Sequence, residues 1–275
     1  TNRGVSPDWP GRLATMLEAA GGNGTVVVLE GTNGKTQPVR PVVPDDIQSR
    51  PEMTSPSDPV DGDGYSLQTY ATSLAQHVGQ AVANVQPVSG DRVGGETLYL
   101  ADAATNPVLL GLLYGGAAFG AQVERSFLPP WGAANVLGTL VGSLRVGDVV
   151  IDGAPGEAYP AIQNTVITST PGLEEHFFAG LAYDQLGYLI APASETSTAA
   201  SAALGGNDNL LFNTTPAIGD HVTCVLLQAL AENGAKPLQA ATPADCTGMT
   251  PGVPEDSVVG AGSPTTDGLS VPDAP

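Results

Sequence analysis

The sequence predicts a mixed α/β domain, a mixed sheet with flanking helices, on three observations. Leu144, Val146, Val149, Val150 and Ile151 form an apolar run, mostly β-branched and broken by Gly147-Asp148, which gives a hairpin or a bent strand. Phe177, Phe178, Ala179, Gly180 and Leu181 form a second apolar run that ends in Tyr183, Asp184, Gln185 and Tyr188. Helical spacing then appears twice. Leu67, Tyr70, Ala71, Leu74, Val78, Ala81, Val82 and Val85 mark a helix over Ser66 to Val85; Ile218, Val222, Val225, Leu226, Ala229 and Leu230 mark another over Pro216 to Glu232.

In chain order, Leu13, Met16, Leu17 and Ala20 repeat at helical intervals, with Ser6 or Asp8 as cap, Pro10 in the first turn and Gly21-Gly22 as the stop. Val26 to Leu29 reads as a short buried strand, and Glu30 to Pro38 as the loop at its end. Gly34-Lys35-Thr36 is not a phosphate loop. The leading glycine is missing four residues upstream, and Pro38 blocks the helix that must follow. Residues 38–64 read as an extended loop, in which Asp58, Asp61 and Asp63 offer carboxylates that could hold calcium, but without the helix-loop-helix calcium spacing a solvated acidic turn is the favoured reading. Thr97 to Ala101 is a strand, and Pro107 to Gly120 fits either a buried helix or a strand with a glycine-rich turn. Phe127 to Trp131 is an apolar loop, suited to packing over the core edge or to walling an acyl-chain pocket. His77 flanks its helix stripe with no ligand at i+3 or i+4, His221 falls in an exposed first turn, and His176 is a structural residue before a strand.

Nine Lys and Arg against 28 Asp and Glu give a net charge of −19, which repels phosphate backbones and anionic membrane surfaces and excludes nucleic-acid binding. No apolar run is long enough for a transmembrane segment, and residues 1–25 carry no signal-peptide pattern. Few charges with many Gly and Pro suit a secreted or extracellular protein, in which Cys224 and Cys246 would form a disulfide. Residues 1–246 are expected as one domain and 247–275 as an extended tail with little to bury.

Ala154-Pro155-Gly156 ends the first strand and leaves Glu157 at its C-terminal edge, the usual place for chemistry on an α/β sheet. The run Leu-Arg-Val-Gly-Asp-Val-Val-Ile-Asp-Gly-Ala-Pro-Gly-Glu at 144–157, followed by Ala-Gly-Leu-Ala-Tyr-Asp-Gln-Leu-Gly-Tyr-Leu-Ile-Ala-Pro at 179–192, resembles the catalytic domain of neutral/alkaline ceramidases. Asn33 to Pro38 is a partial match to a loop of the same family. The resemblance implies a zinc amidohydrolase that cleaves an N-acyl amide of a lipid-like substrate. Glu157 and Tyr188 would be zinc ligands, and Tyr183, Asp184 and Gln185 would face the substrate or support the ligands. The family usually has Asn at the position of Tyr183 and Thr-Thr-Pro at the position of Ile190-Ala191-Pro192.

Zinc needs three or four ligands with one position open, and the family's histidines and serine match no position of this chain. The fold and the site are therefore expected to be incomplete without an N-terminal partner segment from the same processed precursor. Thr1 offers a second route, as an N-terminal nucleophile using its own amine as base, although Gly4, Pro7 and Pro10 make this start a loop. The rival reading is a non-catalytic secreted structural or surface protein that keeps the fold.

Overall fold

The computed structural model describes residues 8–21, 24–35, 64–114, 123–127, 131–173, 175–192, 212–237, 246–247 and 249–251. Thr1, Ser6, the acidic turn at 58–63 and Glu195 lie outside them. The chain divides into two compact units, Thr1–Leu29 with Gln37–Pro87, and Glu30–Thr36 with Val88–Pro275.

In the first unit, α1 (Asp8–Gly21) packs on α2 (Gly64–Ala83), both where their apolar spacing predicts. Leu13 and Ala71 are buried between them, and the Trp9 and Tyr70 rings meet edge to face at 5.4 Å. His77 is exposed on α2. The expected strand at Val26 to Leu29 does not form, and Val27, Val28 and Leu29 are exposed. Four apolar residues have the composition of a strand, but a strand also needs a neighbouring strand for its backbone hydrogen bonds; none of the described strands pairs with these, and Val26 N donates instead to Glu18 Oε1 at 2.9 Å.

The second unit is built on one mixed sheet. Its strands are β1 (Val93–Ala104), β2 (Val123–Ser126), β3 (Ala134–Val146), β4 (Val149–Gly153), β6 (Glu175–Ala179) and β8 (Met249–Pro251), in the order β6-β4-β3-β1-β8, with β2 paired to the first residues of β3. The Gly147-Asp148 turn closes an antiparallel β3–β4 hairpin, with Gly147 at φ 61°. The strand expected at Thr97 to Ala101 extends over twelve residues, all paired with β3. Segment 107–120 resolves as helix α3 (Pro107–Tyr114); residues 115–120 lie outside the described set.

After β4 the chain makes a two-residue strand β5 (Glu157–Ala158) and helix α4 (Pro160–Ser169), then returns as β6 parallel to β4. This βαβ crossover is what places two strand ends side by side. Helix α5 (Ile218–Glu232) packs on α4, β1 and β3. The core lies between these helices and one face of the sheet: Leu100, Val141, Val150 and Phe178 meet Ile162 and Val166 of α4 and Val222, Val225, Leu226 and Leu230 of α5.

His221, expected at the surface, is buried at 3% exposure, and its Nδ1 lies 2.6 Å from Asp102 Oδ2 on β1. A first-turn position usually faces solvent, but α5 is buried on almost every side, Asp220 and Thr223 included. The ring is admitted to the core because a carboxylate there receives it.

Candidate functional site

The site is assembled where the parallel strands β4 and β6 end. Beyond Gly153 and Ala179 the two chains cross-link through their backbones. Ala154 N donates to Ala179 O at 3.0 Å, Ala182 N to Ala154 O at 3.0 Å, and Leu186 N to Pro155 O at 2.8 Å. They then pair again as a small parallel sheet, β5 with β7 (Tyr188–Leu189), in which Glu157 is the register partner of Tyr188. Glu157 N donates to Gly187 O at 2.8 Å and Tyr159 N to Leu189 O at 3.1 Å. Register partners carry their side chains on the same side at the roughly 4.8 Å spacing of neighbouring strands.

Both side chains are half-buried, and the Glu157 carboxylate has no hydrogen-bond or ion-pair partner among the described residues. A carboxylate and a phenol side by side are two oxygen donors for a hard or borderline cation. Zinc would need both of them together with one or two further donors. No group of three or more His, Cys, Asp or Glu that could hold a metal ion occurs among the described residues.

The Glu30–Lys35 loop lies against this ledge. Gly34 N donates to Ala158 O at 2.9 Å, and Gly180 N donates to Glu30 O at 2.8 Å. Gly34 rests on the Glu157 carbonyl, where a Cβ would collide. Lys35 Nζ sits 5.5 Å from the centre of the Tyr159 ring, a cation–π contact. Asn33 Oδ1 is buried with no hydrogen-bond partner among the described residues.

The three polar residues after β6 take separate positions. Leu181 and Tyr183 are in the left-handed backbone region, at φ 56° and 73°, so this turn holds conformations that side-chain-bearing residues seldom adopt. The Tyr183 ring reaches over the sheet, packs on Gly153, and places its hydroxyl 3.4 Å from Thr97 Oγ1. Asp184 accepts a 2.6 Å hydrogen bond from Thr139 Oγ1, filling the stretch of β3 that neither β2 nor β4 pairs. Gln185 is exposed. Thus Tyr183 and Asp184 tie the turn to the sheet, while Glu157 and Tyr188 share the ledge.

Two features escaped the sequence. Asp152 on β4 and His176 on β6 form a buried pair, with His176 Nδ1 3.2 Å from Asp152 Oδ2 and Nε2 3.1 Å from Thr170 Oγ1. The Thr170 hydroxyl donates to Val166 O at 2.7 Å, so it offers a lone pair to an N–H at His176 Nε2. Burial pushes the Asp152 carboxyl above its usual range, and the His176 hydrogen bond and charge offset part of that rise. This pair braces β4 against β6 just upstream of the site, the structural role expected for His176. The second feature is the His221–Asp102 pair. Cys224 and Cys246 form the expected disulfide.

No family model matches the chain, and no curated protein matches it in sequence. Its fold is similar to that of solved ceramidases. One is neutral ceramidase from Pseudomonas aeruginosa, at TM-score 0.51 and 14% identity, covering 83% of this chain and 41% of that one. Another is a structure described as ceramidase complexed with C2, at TM-score 0.51 and 17% identity, covering 83% and 43%. The likeness is one of fold, and the chain spans less than half the length of either. No described helix is long and apolar enough to cross a membrane.

Proposed function

We propose that this chain is one part of a zinc-dependent amidase of the ceramidase type, secreted and acting on an N-acyl amide of lipid-like character. The observation that carries the reading is the pairing of Glu157 with Tyr188 in the short parallel sheet beyond β4 and β6, in a fold similar to neutral ceramidase. In this reading the two residues hold zinc from one side, and the remaining ligands and the nucleophile come from a complementary segment of the same precursor. Bound zinc would polarise the amide carbonyl and stabilise the charge that builds on its oxygen. The chain's own part is positional. The backbone bonds from Gly187 and Leu189 fix the two donors relative to each other, and the loop carrying Lys35 shields one flank.

The test is Glu157→Ala in the native assembled protein, with zinc content by mass spectrometry and cleavage of an N-acyl sphingoid amide measured together. Zinc is expected to fall by at least tenfold and cleavage to be abolished. If both survive, Glu157 is not a ligand. If the unaltered protein holds no zinc and cleaves no amide, the chain is a non-catalytic protein on the same fold.

A further inference from the structure

At the end that carries Val93, Leu144 and Phe177 the second face of the sheet is apolar and exposed, while toward the other end Trp131 packs with Ala101 and Val136 and the Tyr183 ring covers Gly142 and Gly153. Strand register aligns its side chains in rows across β1, β3, β4 and β6. One row is Val93, Val146, Val149 and Glu175, the next Gly95, Leu144, Ile151 and Phe177, and the third Thr97, Gly142, Gly153 and Ala179. Val93 is 74% exposed, Phe177 54%, Val146 50% and Leu144 46%. Glu175 at one corner is the one charged side chain in these rows.

An antiparallel strand pair that faces water on one side alternates apolar with polar residues. Here β4 reads Val149-Val150-Ile151, apolar in both directions, and β3 adds Leu140, Leu144 and Val146 to the open side. That is the pattern of strands covered on both faces. An exposed apolar patch of several neighbouring side chains marks an interaction site rather than ordinary surface.

The shape of the patch narrows what covers it. Four strands at about 4.8 Å spacing give a width of roughly 15 Å, more than the 10–12 Å or so of one helix. Gly95 keeps the middle row low at the β1 edge, and the Tyr183 ring, standing on Gly142 and Gly153, bounds the patch at the third row. A second sheet packed face to face fits such a surface. The solved structures of similar fold are more than twice as long as the part this chain spans.

We infer that this face is the docking surface for a second β-sheet, carried by the complementary segment that completes the ceramidase-type fold. The inference rests on the reading that such a segment exists. It identifies where the segment binds: a sheet-on-sheet interface centred on Leu144, Ile151 and Phe177, which abuts the turn leading to Tyr188.

Photo-crosslinking in the native host tests it, with Phe177→p-benzoylphenylalanine in the open face and Gln76→p-benzoylphenylalanine on helix α2 as collision control. The expected result is an adduct from position 177 to a peptide outside residues 1–275 that alternates apolar and polar residues, absent from the control. Adducts confined to residues 1–275, whether in the same chain or a second copy, or no adduct above the control, overturn the proposal. As a second variant, Leu144→Asp should reduce co-purification of that segment at least tenfold while leaving the denaturation midpoint of the isolated chain unchanged. A fall in that midpoint would make Leu144 part of the chain's own core and also overturn it. Zinc measured on the same preparations separates the two readings: the adduct without zinc refutes the metal site and keeps the interface, and zinc without the adduct does the reverse.

Discussion

Phe177 and Phe178 are neighbours on one strand with opposite environments. Phe178 points into the helix-covered core and is 5% exposed, while Phe177 stands on the open face. The sequence gives both the same side chain, and the pleat alone separates them. The contrast teaches that around β6 the chain's own packing lies on the helix-covered side of the sheet, while the other side is left exposed there.

The largest effect expected is from Phe178→Ala, which removes a buried ring from between β4, α4 and α5 and should cost about 3–5 kcal/mol in chemical denaturation. A small loss would mean that the two faces differ less than their burial indicates. Next, Cys224→Ser with Cys246→Ser should cost about 2–4 kcal/mol, because the disulfide spans 22 residues and tethers α5, the main cover of the closed face. An unchanged midpoint would show that α5 is held by packing alone.

Asp152→Asn tests the polar pair within the closed face. The folded state holds the Asp152 proton more tightly than the unfolded chain does, so the unaltered protein should lose stability as pH rises from 3.8 through the raised value. The variant lacks that loss. The stability gap in its favour should widen across this range and stay flat above it; a gap that narrows with rising pH would mean the carboxyl is held charged. Smallest of all, Phe177→Ala should change the isolated chain by about 0.5 kcal/mol or less.

Much of the frame was legible. Gly147-Asp148 announced the hairpin, helical spacing announced α2 and α5, and Pro155-Gly156 marked where β4 ends, although Glu157 stands beyond that edge as the first residue of β5. Those signals are local. What failed depended on distant partners: Val26 to Leu29 looked like a strand but pairs with no described strand, and His221 looked exposed until Asp102, 119 residues away, received it. The partnership of Asp152 with His176 was equally hidden, since it arises from the parallel register of β4 and β6. The ledge itself lies between these cases. The end of each strand was visible in the sequence, but the alignment of Glu157 with Tyr188 follows from the crossover through α4.

β8 has a consequence for behaviour in a reducing compartment. Met249–Pro251 caps the outer rim of β1 through pairing at Leu100, Ala101 and Asp102, and Cys246 pins the chain to α5 three residues earlier. Once that pin is cut, three short pairings must hold the cap alone. Its departure would bare a row of backbone donors and acceptors ready to recruit another strand, so thiol exposure would announce itself as self-association before any helix melts.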